Sequence, residues 1–181
     1  LPKRFSVTAR INAISALARR AKPDSPTHED SALQIAMVLE DPDERVRQAA
    51  IHVAGAIVAE SGLGNLKLIL KNDVAENRRA ASEAISQMAW VWKRQGPLAD
   101  LDQAHRNIAR LDACRDIVSI WSEAFSEDRT LEACVIYSLI QLGEQRLADD
   151  WQNGGDQEPS KGTRAALIAL DQMDDSPLTR E

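Results

Sequence analysis

The sequence predicts an all-α protein, for three reasons. Glycine and proline are scarce, at 8 and 7 of 181 residues, which is below average usage. Aromatic residues make up 4% and alternating runs of β-branched residues are lacking, which argues against a β-sandwich or a β-barrel. Apolar residues instead recur three and four positions apart, the spacing that places them on one face of a helix. We therefore expect helices along the whole chain.

Five helices are predicted in the first half of the chain, and local chemistry marks their ends. They cover about 5–21, 29–40, 44–60, 64–71 and 76–94. The first ends before Pro23, because proline disfavours helical backbone in the residue that precedes it. Three later helices begin after Thr27, Asp41 and Asp73, whose side chains can accept hydrogen bonds from the free amide groups of a helix start.

Four more helices are predicted at about 99–125, 129–142, 144–151 and 162–173. Gly96 and Pro97 stop the helix that precedes them. Residues 153–160 contain two adjacent glycines and a proline, and they form the longest predicted loop. The chain therefore reads as a series of helices joined by short turns.

The predicted helices are similar to one another in sequence. Residues 79–88 align without a gap with residues 164–173, and both segments begin Arg-Ala-Ala and end Gln-Met. Residues 47–54 align with the first of these segments at an offset of 31 residues, and residues 131–136 align with the second at an offset of 32. A weaker copy at the start of the chain aligns Ala9 with Ala80. Repetition of helix pairs at this period is typical of an α-solenoid. The predicted fold is therefore an α-α superhelix.

The segment 39–50, which reads Leu-Glu-Asp-Pro-Asp-Glu-Arg-Val-Arg-Gln-Ala-Ala, resembles the centre of a HEAT repeat. The features that carry the resemblance are an acid in the turn between two helices, then Val-Arg, then a pair of small residues. The resemblance implies a short solenoid of about five HEAT-like helix pairs, the first incomplete, forming a single domain over 1–181. The clearest repeats span 31–94, and degenerate repeats span 1–22, 99–142 and 144–173. We expect this domain to be part of a longer chain.

Four polar residues at equivalent positions are predicted to join neighbouring repeats. Asp41 and Asn72 lie in the turns, and Arg47 and Arg78 lie in the helices that follow. A turn acid can accept hydrogen bonds from exposed helix-start amides, while an arginine reaches an acid or carbonyl of the adjacent unit. The four residues would then form an inter-repeat ladder, and ligand contact by the two arginines is the alternative.

The second helices of the repeats offer a candidate binding face on the concave side of the solenoid. Its predicted members are Gln48, His52, Glu83, Gln87, Trp90 and Arg94. Trp90 and Trp92 are about 200° apart on a helix, so they occupy different faces. The apolar stripe of that helix assigns Trp92 to the core and leaves Trp90 on the polar face. The alternative is that Trp90 packs under the helix predicted at 99–125, against Trp121.

No constellation in the sequence supports catalysis, a cofactor or a metal ion. The three histidines, His28, His52 and His105, have no second His or Cys at helical spacing, and Cys114 and Cys134 are twenty residues apart inside apolar patterns. The chain carries 22 Lys and Arg against 28 Asp and Glu, a formal net charge of −6, so binding to nucleic acid is not expected. No stretch approaches the ~18 apolar residues of a membrane span. The predicted setting is the cytoplasm.

The sequence therefore predicts a non-catalytic protein–protein interaction scaffold. It would bind a protein or peptide on the concave face, or dock against other domains of the same polypeptide. Two alternatives follow from other HEAT-like proteins. One is a DNA-binding protein of the alkylation-repair glycosylase type, using Trp90, Trp121 and Asp116, and the other is a bilin-lyase-like enzyme.

Overall fold

The computed structural model describes residues 5–22, 25–94, 129–142 and 161–172. Within these residues the chain is helical and contains no β-strand, so the prediction of an all-α protein is confirmed. The helices are α1 (Val7–Arg20), α2 (His28–Val38), α3 (Glu44–Ile57), α4 (Leu63–Asn72), α5 (Ala75–Arg94), α6 (Arg129–Leu142) and α7 (Lys161–Asp171), with a 3₁₀ turn at Glu60–Gly62. The helices predicted at 99–125 and 144–151 lie outside the described residues. The chain divides into two compact units, Leu1–Met88 and Ala89–Glu181, which are described separately.

The helix ends mostly follow local side-chain chemistry, with departures at α2 and α3. At the start of α2 the Thr27 side chain makes no capping hydrogen bond and donates instead to the Arg20 carbonyl at 3.0 Å. Ser6 Oγ accepts a hydrogen bond from the Ala9 amide at the start of α1. The N-cap of α3 is Asp43 rather than Asp41, and its carboxylate accepts from the Arg45 amide at 3.0 Å. α3 ends at Ile57 instead of 60, because Val58 adopts the left-handed conformation (φ 54°, ψ 54°) and directs the chain into the 3₁₀ turn.

In the first unit, the N-terminal end of α3 lies close to that of α1 and also to that of α5. α1 packs against α2 and α3, and α2 also packs against α3. The buried Asn77 near the start of α5 donates through Nδ2 to the carbonyl of Glu44, the first residue of α3, at 3.1 Å. The fully buried apolar side chains of this unit include Ile14, Ile35, Leu39, Ile51, Leu66, Leu70, Ile85 and Met88.

Glycine at position 55 permits the close approach of α3 to α5. A Cβ atom on Gly55 would lie 2.9 Å from the Ala84 Cα atom and 3.0 Å from its Cβ atom. It would also lie 2.6 Å from Gln87 Oε1. Ala81 and Ala84 are buried on the α5 side, so small residues line both surfaces. Helices with such surfaces can approach closely enough to exclude water from between them.

The described part of the second unit contains the pair α6 and α7, which pack against each other. Their buried apolar residues are Leu131, Val135, Leu139, Ala166, Ala169 and Leu170. Cys134 is of intermediate exposure, and Tyr137 and Leu167 are exposed at 55% and 41%.

Candidate functional site

Arg47 joins the α2–α3 turn to the α4–α5 turn. Its Nε and Nη2 atoms donate to the two carboxylate oxygens of Asp73, at 2.6 Å and 2.5 Å. Its Nη1 atom donates to the carbonyls of Asp41 and Pro42 in its own turn, at 2.8 Å and 3.2 Å. One edge of the guanidinium therefore binds the turn of its own helix pair, and the other binds the turn of the next pair.

Arg10 makes the same kind of connection one helix pair earlier. Its Nη1 atom donates to the carbonyl of Phe5, just before α1, at 2.6 Å. Its Nη2 atom donates to Asp41 Oδ1 at 3.0 Å, and its Nε atom lies 2.9 Å from Asp41 Oδ2. Both side chains are buried, at 7% and 5% exposure, and Asp41 Oδ1 also accepts from the Asp43 amide. Arg10 and Arg47 are each the fourth residue of their helix.

Arg78 and Asn72, the other two residues of the predicted ladder, have different surroundings. Arg78 is the fourth residue of α5, and its Nε atom donates to the carbonyl of Leu70 at 3.0 Å. Among the described residues it forms no ion pair. Asn72 is exposed, and its neighbour Asp73 is the residue that accepts from Arg47.

Arg10 and Asp73 form contacts that the sequence analysis did not predict. The frame that aligned Ala9 with Ala80 aligns Arg10 with Ala81, whereas the structure makes Arg10 equivalent to Arg78, three residues away. A shift of three residues keeps an alanine-rich face nearly unchanged, so small residues alone could not decide between the two frames.

The contacts around Asp73 lower the pKa of its carboxyl group. Partial burial raises the pKa of the Asp73 carboxyl, but hydrogen bonds from the Arg47 guanidinium, the Val74 amide and the Asn77 side chain lower it by more, so the net pKa is below the ordinary value. The hydrogen bond to Asp73 likewise raises the pKa of Arg47. Asp73 is therefore a charged carboxylate near neutral pH, and the pair is an ion pair.

This shift predicts how stability depends on pH. The pKa of Asp73 is lower in the folded than in the unfolded chain, so the ionised carboxylate stabilises the fold. This contribution to the free energy of unfolding is complete above the unfolded-state pKa of about 3.9 and is lost as the pH falls through the folded-state pKa. We expect wild type to be more stable than Asp73→Asn at pH 7, and this difference to shrink below about pH 4. Urea unfolding of both proteins between pH 7 and pH 3 measures it.

Asp30→Asn is the matched control, because Asp30 is exposed and forms no ion pair among the described residues. The difference in free energy of unfolding between Asp30→Asn and wild type should change little over the same pH range. A difference between wild type and Asp73→Asn that stays constant down to pH 3 would contradict the ion pair.

The predicted binding face is partly assembled on α3 and α5. His52, Glu83 and Gln87 are exposed, and Gln48 is half-buried. Gln87 Nε2 donates to Glu83 Oε1 at 3.4 Å, and the Gln87 side chain lies against Gly55, three residues after His52. Trp90 is 46% exposed one turn further along α5. The side chains of Trp92 and Arg94, like Trp121 and Asp116, lie outside the described residues.

A cavity of about 350 Å³ opens on another side of the first unit. Its apolar walls are Leu39, Leu68 and Ile69, and its polar lining includes Glu40, Asn65, Asn72 and the Arg47–Asp73 pair. Asn65 bridges α4 to α2, because its Nδ2 atom donates to the Ala36 carbonyl at 2.9 Å and to Glu40 Oε1 at 3.3 Å. A concave apolar surface with a few polar groups is the usual form of a ligand site.

Within the described residues, no group of three or more His, Cys, Asp or Glu side chains could hold a metal ion. His28 and His52 lie on different helices, α2 and α3. In the same part of the chain, none of the helices combines the length and the apolar character that crossing a bilayer requires. Comparison with known proteins finds no protein-family model that matches the chain and no match among curated proteins.

Proposed function

We propose that the chain is a non-catalytic protein-interaction scaffold of the cytoplasm, built as a short α-α superhelix of HEAT-like helix pairs. The observation that carries this proposal is the repeated arginine contact. Arg10 and Arg47 occupy the same helix position, and each binds a carbonyl before its own helix and the carboxylate of the next turn. One kind of contact links α1 to α3 and α3 to α5, which supports the proposal, because neighbouring units related by the same displacement build a superhelix.

The exposed face of α3 and α5 is the proposed binding surface. His52, Glu83 and Gln87 are polar and exposed, and the Gln87 side chain lies against Gly55 at the close helix contact. Trp90 follows on the same helix and supplies an exposed aromatic side chain. Exposed polar and aromatic side chains are both common on surfaces that bind proteins or peptides, and the partner would be a separate protein, a peptide or another domain of the same polypeptide.

Selection of a random dodecapeptide phage library on the wild-type chain tests this function. Selected peptides should bind Trp90→Ala and the double variant His52→Ala, Gln87→Ala at least tenfold more weakly than wild type. Tyr137→Ala is the matched control, because Tyr137 is also an exposed aromatic residue, on α6, and its loss should leave the binding unchanged. Absence of enriched peptides, or binding that is equally strong in all variants, would contradict the proposal.

A further inference from the structure

The cavity between α2 and α4 has polar groups that are not used within the protein. Arg47 is not one of them, since three of its nitrogen atoms already donate to Asp73, Asp41 and Pro42. Asp73 is not one either, because its two oxygens accept from Arg47 and one also accepts from the Val74 amide. This ion pair therefore forms a neutral part of the wall, and its members already use most of their hydrogen-bonding capacity.

Glu40 and Asn72 are the polar residues of the lining whose side chains are available to a ligand. Glu40 is exposed, forms no ion pair among the described residues, and accepts one long hydrogen bond from Asn65. Asn72 is also exposed, and no hydrogen bond of its side chain occurs in the described part of the chain. A carboxylate offers acceptors to a cation, and an amide offers both a donor and an acceptor, which together match a peptide group.

The apolar lining of the cavity offers a surface for an apolar side chain of a ligand. Leu39 and Ile69 are buried at its floor, whereas Leu68 is 61% exposed at its edge. A leucine exposed to that extent beside a concave surface gains from being covered by an apolar group. The volume of about 350 Å³ is at the small end of ligand pockets, which suits about two amino-acid residues.

We propose that this cavity binds a short extended peptide segment that carries an apolar side chain next to a basic one. The apolar side chain lies on Leu68 and Ile69, the basic side chain pairs with Glu40, and the peptide backbone bonds to Asn72. The occupant is a peptide segment, because the volume of about 350 Å³ holds about two residues and the carboxylate of Glu40, unpaired among the described residues, favours a basic side chain. This site is separate from the α3 and α5 face and does not depend on it.

The test is a titration of the ¹⁵N-labelled chain, followed by amide chemical shifts, with three capped peptides. Acetyl-Gly-Leu-Arg-Gly-amide should shift the amides of Asn65, Leu68 and Asn72, and acetyl-Gly-Leu-Glu-Gly-amide and acetyl-Gly-Ser-Arg-Gly-amide should bind at least fivefold more weakly. Glu40→Gln and Leu68→Ser should each weaken binding of the first peptide at least fivefold. Leu33→Ser, at an exposed leucine of α2 outside the cavity lining, should leave it unchanged, as should the variant His52→Ala, Gln87→Ala.

Equal affinity for the Leu-Arg and Leu-Glu peptides would overturn the proposal, and so would shifts that map away from the cavity. Argininamide alone is titrated as a further ligand. If it binds as tightly as the Leu-Arg peptide, the cavity is a simple cation site instead of a peptide site. Loss of binding in the His52 and Gln87 variant but not in Leu68→Ser would move the peptide to the other face. The failure of this site and the failure of the proposed α3 and α5 surface are thus distinguishable.

Discussion

Replacement of Asp41 by leucine is expected to lower the free energy of unfolding by about 3–5 kcal/mol. Both side chains of the Arg10–Asp41 pair are buried, so the substitution leaves the Arg10 guanidinium without its carboxylate in a poorly hydrated site. It also removes the acceptor of the Asp43 amide at the start of α3. Urea unfolding, followed by far-ultraviolet circular dichroism, measures the change.

The double variant Arg10→Met, Asp41→Leu separates the cost of a lone buried charge from the value of the pair. It should recover most of the stability lost in Asp41→Leu, because two apolar side chains then replace two charges. Arg45→Gln is the control, since the Arg45–Asp43 pair is exposed and should contribute little. A loss in Asp41→Leu no larger than that in Arg45→Gln would show that the Arg10–Asp41 contact does not form.

Replacement of Gly55 by alanine is expected to lower the free energy of unfolding by about 1–2 kcal/mol, even though alanine favours a helix by up to ~1 kcal/mol. The added methyl group would lie 2.9 Å from the Ala84 Cα atom, which belongs to the backbone of α5. Backbone cannot move aside as a side chain can, so the two helices must separate and lose contact along their length. Thermal and urea unfolding both report the loss.

Gly64→Ala is the control for the helix preference of alanine. Gly64 lies in α4, and a Cβ atom there meets nothing within 4 Å, so this variant should gain about 0.5–1 kcal/mol. Combining Gly55→Ala with Gln87→Ala should not restore stability, because it removes the 2.6 Å contact with the side chain and leaves the contact with the backbone. Full recovery in the combined variant would mean that the close helix approach is not the cause.

Most helices of the described residues could be predicted from the sequence, because apolar spacing and proline positions are local properties. α1, α2, α4, α5, α6 and α7 fall within about two residues of the predicted segments. The end of α3 could not be predicted, since Val58 is a β-branched residue that ordinarily avoids the left-handed conformation. The Ala59 amide donates to the Ala54 carbonyl at 2.9 Å across this residue, and Ala59 is buried, so burial of the corner outweighs the preference of Val58.

The candidate site was predictable to a lesser degree, because it depends on which residues meet across helix pairs. The sequence indicated Arg47 as a connector, but its partner Asp73 is 26 residues away, and alignment of repeats pointed to the adjacent Asn72. The cavity beside α4 involves Leu68 and Asn65, which carry no motif. A surface of this kind is defined by the packing of two helices and leaves no pattern in either one.

Asn77 is the third residue of α5, at the place where α3 has the apolar Val46, and its hydrogen bond helps to fix the position of α5 along α3. A displacement of one helical turn, about 5.4 Å, would bring a residue other than Gly55 against Ala84 and force the two helices apart. The same displacement would remove the Asn77 amide from the Glu44 carbonyl and leave it buried without a partner, at a cost of about 1–3 kcal/mol. The buried amide of Asn77 and the close contact at Gly55 thus select the same register of α5 on α3.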